Sequence, residues 1–236
     1  MIRLVSMHKK DKQNMVSPIT LWGHDGGVVA SSSPSSRVAG VYINWKFGVA
    51  HDDDETISLD VDWALGILNM ISNDLDVEIT TNDGKTIIES LGVRAANATP
   101  IIGEINCKKD LSPGMKDLVE NRYHNRITID TNMIRKVINA TKINGIEIYT
   151  FEFRDHSLFM TVGDFNRPND KPIEFEIDRD LETAGDLKLN FSVYLDEIFF
   201  NLHGTVMLGL EKDLPLLIHQ DTDLYSIFVI VAGYDD

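Results

Sequence analysis

The sequence predicts an α+β chain in which strands dominate and one domain occurs twice. Three observations carry that expectation. Strand-like alternation recurs, with Ile57, Leu59 and Val61 against Ser58, Asp60 and Asp62, Tyr149, Phe151 and Phe153 against Thr150, Glu152 and Arg154, and Ile173, Phe175 and Ile177 against Glu174, Glu176 and Asp178. A period of two marks strands buried on one face. A few short segments instead place apolar residues three and four apart, namely Trp63-Ala-Leu-Gly-Ile-Leu-Asn-Met-Ile, Met133-Ile-Arg-Lys-Val-Ile and Tyr194-Leu-Asp-Glu-Ile-Phe-Phe-Asn-Leu, which is the helical period. Finally, the chain matches itself at a spacing of 130: Asp25 meets Asp155, Val28 meets Leu158, Leu59 meets Leu189, Val61 meets Phe191, Leu65 meets Leu195 and Leu68 meets Ile198. One residue is then lost, and Val77 meets Val206, Ile79 meets Leu208 and Ile87 meets Leu216.

Taken in order, the copies occupy residues 1–106 and 126–236, with residues 107–125 between them. That stretch contains Pro113-Gly114 and mixed charge, and reads as a connector. The strand pattern Arg126-Ile-Thr-Ile129 precedes the helix from Asp130, and its counterpart in the first copy would fall before Met1. Either the first domain lacks its opening strand or Met1 is not the natural start.

With 236 residues, 43% of them hydrophobic, the chain can build a real core, which excludes a disordered or collagen-like protein. No apolar run approaches the roughly 20 residues of a membrane helix, and the N-terminus has no apolar stretch ending in a cleavage site. A soluble, unsecreted protein is expected. The single cysteine, Cys107, makes neither an intrachain disulfide nor a thiolate cluster, which fits a reducing compartment and makes the Asn-Ala-Thr sequons at Asn97 and Asn139 chance matches.

Catalytic signatures are missing: there is no glycine-rich phosphate loop, no nucleophile elbow and no His-Glu-x-x-His. The best metal candidate is His51-Asp-Asp-Asp-Glu55, but it sits between two strand patterns, where consecutive residues point to opposite faces and a polar hairpin tip needs no function. The seven histidines show no ligand spacing. Neither a metal nor a cofactor is expected, and no enzyme.

Charge is more informative. Lys and Arg number 22 against 37 Asp and Glu, a net of −15. Yet residues 1–14 carry Arg3, Lys9, Lys10 and Lys12 against Asp11, and residues 130–144 carry Arg135, Lys136 and Lys142 against Asp130. An acidic body with two short basic segments is compatible with a local anion-facing surface, but charge alone favours a pair of solvated helix faces. On the second helix Arg135, Asn139 and Lys142 follow i, i+4, i+7 spacing, with Ile134, Val137 and Ile138 on the apolar side. In the first segment Arg3 and Lys10 are seven apart, with Leu4 and Met7 available for burial. Two such stripes grip a phosphate backbone without reading bases.

The C-terminal half contains Phe191-Ser-Val-Tyr-Leu-Asp-Glu-Ile-Phe-Phe, Gly204-Thr-Val-Met-Leu-Gly-Leu-Glu-Lys-Asp-Leu-Pro-Leu-Leu-Ile218 and a closing Tyr225-Ser-Ile-Phe-Val-Ile-Val-Ala-Gly-Tyr234. The first half contains Gly26-Gly-Val-Val-Ala-Ser-Ser-Ser-Pro-Ser-Ser-Arg-Val38 and Asp60-Val-Asp-Trp-Ala-Leu-Gly-Ile-Leu. With these segments the chain resembles the DNA sliding clamps of the proliferating cell nuclear antigen (PCNA) kind, including the related phage clamps. The Asp-x-Pro-Leu hairpin before the final strand is the most family-like piece, and the likeness is one of apolar positions over nearly the whole chain.

The resemblance implies two similar clamp domains, helices packed on antiparallel sheets, closing head to tail into a homotrimeric ring around duplex DNA. It implies a non-catalytic processivity factor for a DNA polymerase, served by a clamp loader and by peptide-bearing replication and repair clients. The expected location is intracellular, cytoplasmic for an archaeal or phage protein and nuclear for a eukaryotic one. DNA would face Arg3, Lys9, Lys10, Lys12, Arg135, Lys136 and Lys142, while the helices at 62–73 and 192–203 contribute no Lys or Arg. The partner pocket under the connector would involve Ser33, Pro34, Leu111, Met115, Leu118, Pro215, Val231, Ala232, Gly233 and Tyr234. Subunits would meet through residues 99–106 and 171–178, with Ile101, Ile102, Ile173 and Phe175 at the junction. The alternative is a clamp-fold interaction protein that does not encircle DNA; an enzyme using the acidic turn at Asp52 to Glu55 comes a distant third.

Overall fold

The computed structural model describes residues 18–24, 27–32, 39–46, 56–72, 74–100, 113–144, 148–163, 171–182, 185–192 and 194–233, except the side chains of residues 24, 113–115, 140–144, 192, 194 and 197. The architecture is α+β. The chain divides into two compact units, one of residues 1–36, 40–110 and 222–226, the other of residues 37–39, 111–221 and 227–236.

In the first unit, β1 (Ile19–His24), β2 (Gly27–Ser32), β3 (Ala39–Trp45) and β4 (Thr56–Leu59) run in the order β4-β1-β2-β3, each neighbour antiparallel. Helix α1 (Val61–Leu68) follows at once. Asp60 starts it, its Oδ1 accepting from the Trp63 N–H at 2.9 Å, and Val61 and Ala64 turn inward. A second sheet, β5 (Glu78–Asn82), β6 (Lys85–Ser90) and β7 (Val93–Ala98), is a plain meander.

The second unit repeats the plan. Strands β9 (Ile148–Arg154), β10 (Ser157–Val162), β11 (Ile173–Asp178) and β12 (Leu187–Ser192) run β11-β10-β9-β12, and β8 (Asn125–Asp130), β13 (Thr205–Leu210), β14 (Leu216–Asp221) and β15 (Tyr225–Val231) run β15-β14-β13-β8. Strand β8 has no counterpart beside β5 among the described residues. The repeat holds in register for the first hairpins: Trp22 faces Val29 as Glu152 faces Phe159, each pair offset by 130. It then departs from the sequence alignment. Ile19 pairs with Leu59, whereas Tyr149 pairs with Phe191, so Leu59 corresponds to Phe191 and not to Leu189. A slip of two residues returns every strand side chain to the same face, so an apolar pattern cannot detect it.

Helix α3 (Thr131–Asn144) begins at Asp130, whose Oδ1 accepts from the Asn132 N–H at 2.8 Å. Its buried side, Thr131, Ile134, Val137 and Ile138, packs on β10 and β11 and beside α4 (Tyr194–Asn201). Beneath lie Tyr149, Phe151, Phe153, Leu158, Met160 and Val162, all essentially sealed from solvent. The rings of Phe151 and Phe191 meet edge to face, 5.9 Å between centroids at 67°.

Ile173 and Phe175 pair with the buried Val162 and Met160, so both side chains point to the core side of β11. The outer face of this sheet is charged instead: Arg154 lies 3.9 Å over the Phe159 ring and pairs with Glu174, and Arg179 pairs with Glu176 at 2.8 Å. Among the described residues strand β11 stands at the edge of its sheet, and its ladder is broken by a bulge at Ile177.

The β9–β10 hairpin closes on Asp155 and His156, both left-handed at φ 50° and 62°, where the β5–β6 hairpin uses Asp83 and Gly84. Histidine occupies that region at a steric cost that glycine avoids, partly offset by glycine's freer unfolded state. His156→Gly is therefore expected to raise the unfolding free energy by about 0.5–1 kcal/mol, read as a later denaturant midpoint.

Candidate functional site

Strands β13, β14 and β15 are apolar on both faces. One face, with Val206, Leu208, Leu216, Ile218, Ile227, Val229 and Val231, is core. The other presents Met207 and Gly209, Leu217 and His219, and Phe228 and Ile230, with the His219 and Phe228 rings stacked 4.3 Å apart at 6°. Part of this second face is covered by helix α2 (Pro113–Asn121), which lies inside the stretch read as a connector. Val119 and Tyr123 are buried against Leu217, and Leu118, Met207, Leu214, Phe228 and Ile230 close around them, half-buried.

The local chemistry fixes this arrangement at its C-terminal end. The Tyr123 hydroxyl donates to the Pro215 carbonyl at 2.7 Å, and burial pushes its pKa up to about 12. Its ring rests on Gly209: a Cβ there would stand 2.8 Å from Tyr123 Cγ and 3.2 Å from Leu217 Cβ. Arg126, on β8, donates to the carbonyls of Val119 at 2.9 Å and Glu120 at 2.7 Å, which the helix leaves unpaired at its end, and to that of Tyr123, two residues beyond it, at 3.1 Å. Glu211 accepts from the His124 N–H and faces its ring Nδ1, each at 3.1 Å. Burial pushes that carboxyl up, but hydrogen bonds from His124 and Lys212 outweigh it and leave Glu211 below its ordinary value.

Of the residues assigned to the pocket, Leu118 and Pro215 come together here. Val231 does not take part: alternation along β15 turns it into the core, and Phe228 and Ile230 lie on the α2 side of the sheet in its place. Ala232 and Gly233 are exposed, and Gly233 forms an antiparallel bridge with Phe191. Tyr123, Gly209, Phe228 and Ile230 escaped sequence reading, although the unbroken apolar run Ile227-Phe-Val-Ile-Val231 signals a strand covered on both sides.

The basic helix is also rearranged. Arg135 is half-buried and turned onto the end of α4, donating from Nε to the Phe199 carbonyl at 2.9 Å and from Nη2 to the Leu202 carbonyl and to His203 Nδ1. The stripe left exposed is Asn132, Lys136 and Asn139. Arg3, Lys9, Lys10, Lys12, Ser33, Pro34, Ile101, Ile102, Leu111 and Tyr234 lie outside the described residues, as do Cys107, the acidic turn at 51–55 and the side chains of Met115 and Lys142. Among the described residues no group of three His, Cys, Asp or Glu side chains is placed to hold a metal, and no helix is long and apolar enough to cross a membrane.

No protein-family model matches the chain, and no curated protein does. Solved structures do. The chain is similar to the A. fulgidus PCNA to which the C-terminal region of FEN-1 is bound, at 16% identity and TM-score 0.73, over 100% of this chain and 94% of that one. It is similar to PCNA from Entamoeba histolytica at 13% identity and TM-score 0.76, over 99% and 94% of the two chains. The chain has the PCNA clamp fold. PCNA from Thermococcus kodakaraensis gives the same answer, at 13% identity and TM-score 0.74 over 99% and 95%. Likeness to PCNA at such low identity is a likeness of backbone, which agrees with a resemblance carried by apolar positions alone.

Proposed function

We propose that the chain is a DNA sliding clamp, a non-catalytic processivity factor that closes as a homotrimer around duplex DNA and tethers a polymerase and other replication and repair proteins. The observation that carries the reading is the match to PCNA structures over at least 99% of this chain. Two further features support it. The charge asymmetry suits a ring whose acidic exterior repels DNA while short basic segments attract it weakly enough to slide. The groove bounded by α2, Pro215, Phe228 and Ile230 has the apolar lining a docking peptide needs, and the backbone edge of β11, with the region around residues 99–106, is the proposed subunit junction.

Solution mass is the deciding experiment. A trimer of the 26.5 kDa chain, about 80 kDa, is expected. A monomer at all working concentrations would instead favour a clamp-fold interaction protein that does not encircle DNA. That second reading draws on the commitment of Arg135 to α4 carbonyls and on the absence of Lys and Arg from α1 and α4. Within the clamp reading, Lys136 and Lys142 carry the phosphate contact of α3, with Arg3, Lys9, Lys10 and Lys12 from the N-terminal segment, and Arg135 positions the helix. Lys136→Glu should weaken clamp-dependent synthesis and lower the salt dependence of DNA association by about 0.9 per phosphate lost, with the trimer intact. An unchanged salt slope would remove Lys136 from the DNA-facing surface.

A further inference from the structure

We propose that α2 is a detachable cover over the outer face of β13, β14 and β15, latched at its C-terminal end by Arg126 and Tyr123, and that unlatching enlarges the groove open to a partner. The second half of this statement rests on reading that face as a docking groove; the first half does not.

Helix α2 has nine residues, well under the roughly 12–15 that hold a helix in isolation. Its helical form therefore depends on docking, and docking and folding of this segment are one equilibrium. The described contacts that supply docking come from residues 118–123. Between Lys116 and Tyr123 only Val119 and Tyr123 are buried, with Leu118 half-buried, while Lys116, Asp117, Glu120, Asn121 and Arg122 are exposed.

The described polar anchors come from the same residues and the turn that follows them. Arg126 belongs to the strand frame and holds two carbonyls of the helix end, Val119 and Glu120, and that of Tyr123 just beyond it with charge-assisted hydrogen bonds, so the helix terminus is tied to the sheet and not only to itself. The Tyr123 hydroxyl is tied to Pro215 across the face, and Glu211 holds the His124 N–H. The surface under the cover is a finished strand face whose backbone bonds run within β13–β14 and β13–β8, independent of α2. Release of α2 would thus uncover Leu217 and more of Phe228 and Ile230 without opening the sheet, a local event of low cost compared with global unfolding. An apolar client side chain that needs this area binds in proportion to the uncovered fraction.

Arg126→Gln removes the charge from the latch and leaves the core face of β8 untouched, since Arg126 points away from the buried Ile127 and Ile129. Amide hydrogen exchange on the full chain should show residues 116–123 exchanging about ten-fold faster or more, with β13 and β14 amides unchanged. Tyr123→Phe, which deletes only the hydroxyl bond to Pro215, should accelerate the same amides by a smaller factor. Exchange of α2 at the wild-type rate in both variants, or in step with β13 and β14, overturns the latch.

The groove is probed with the FEN-1 C-terminal region found on A. fulgidus PCNA, as a labelled peptide. Tighter binding to Arg126→Gln than to wild type supports a cover that competes with the client. Weaker binding overturns that role and makes α2 a wall of the site. No binding to either protein overturns the docking reading, and the exchange data then decide the latch alone.

Discussion

Phe151→Ala is expected to lower the unfolding free energy by about 3–5 kcal/mol, the largest effect of any substitution considered. Phe151 is 1% exposed and sits on β9, between β10 and β12, where Met160 and Leu189 flank it. Truncation loses the transfer free energy of the ring and leaves a cavity that three hydrogen-bonded strands cannot collapse into. It also removes the edge-to-face contact with Phe191, worth about 0.5–1.5 kcal/mol beyond area burial. Urea denaturation should show an earlier midpoint at unchanged slope. A loss below about 1 kcal/mol would mean that this packing is not a stability determinant.

Gly209→Ala is expected to cost about 1–3 kcal/mol, against the usual sign of such a change. Glycine to alanine in a relaxed backbone gains about 0.4–1 kcal/mol by restricting the unfolded chain. Here the new methyl would lie 2.8 Å and 2.9 Å from two ring carbons of Tyr123, and the ring is held by its hydroxyl bond to Pro215 and by burial against Leu217. The ring must yield, and with it the end of α2. Tyr123→Ala in the same background should then cost much less than in wild type, because one contact cannot be lost twice. Additive losses would separate Gly209 from Tyr123.

The fold was legible in the sequence where burial is one-sided. Residues 125–130 alternate without exception, Asn125, Ile127 and Ile129 inward and Arg126, Thr128 and Asp130 outward, as a period of two requires. The internal repeat was legible for the same reason, and its alignment failed at Leu59 because slips by even numbers leave the pattern intact. The site was less legible. Helix α2 does not declare itself, since among its described side chains and the turn after it only Val119 and Tyr123 are buried, and what holds them is Leu217 and Pro215, 92 residues or more away, with Arg126 on the following strand. Arg135 fits a phosphate-facing stripe by spacing, but the carbonyls of Phe199 and Leu202 lie within reach of its long side chain, and only tertiary structure places them there.

The open edge of β11 bears on colloidal behaviour. Among the described residues, the six of this strand pair on one side only, a template for fibrous growth as much as for ordered assembly. Two features blunt the hazard. The bulge at Ile177 interrupts the straight ladder that an incoming strand would extend, and Glu174 and Glu176 place carboxylates along the outer side of the edge. A copy of β11 arriving at this edge would crowd a second pair of carboxylates against two already ion-paired with Arg154 and Arg179, so self-templated stacking has to disturb those pairs, while a strand without such charges would meet no such barrier.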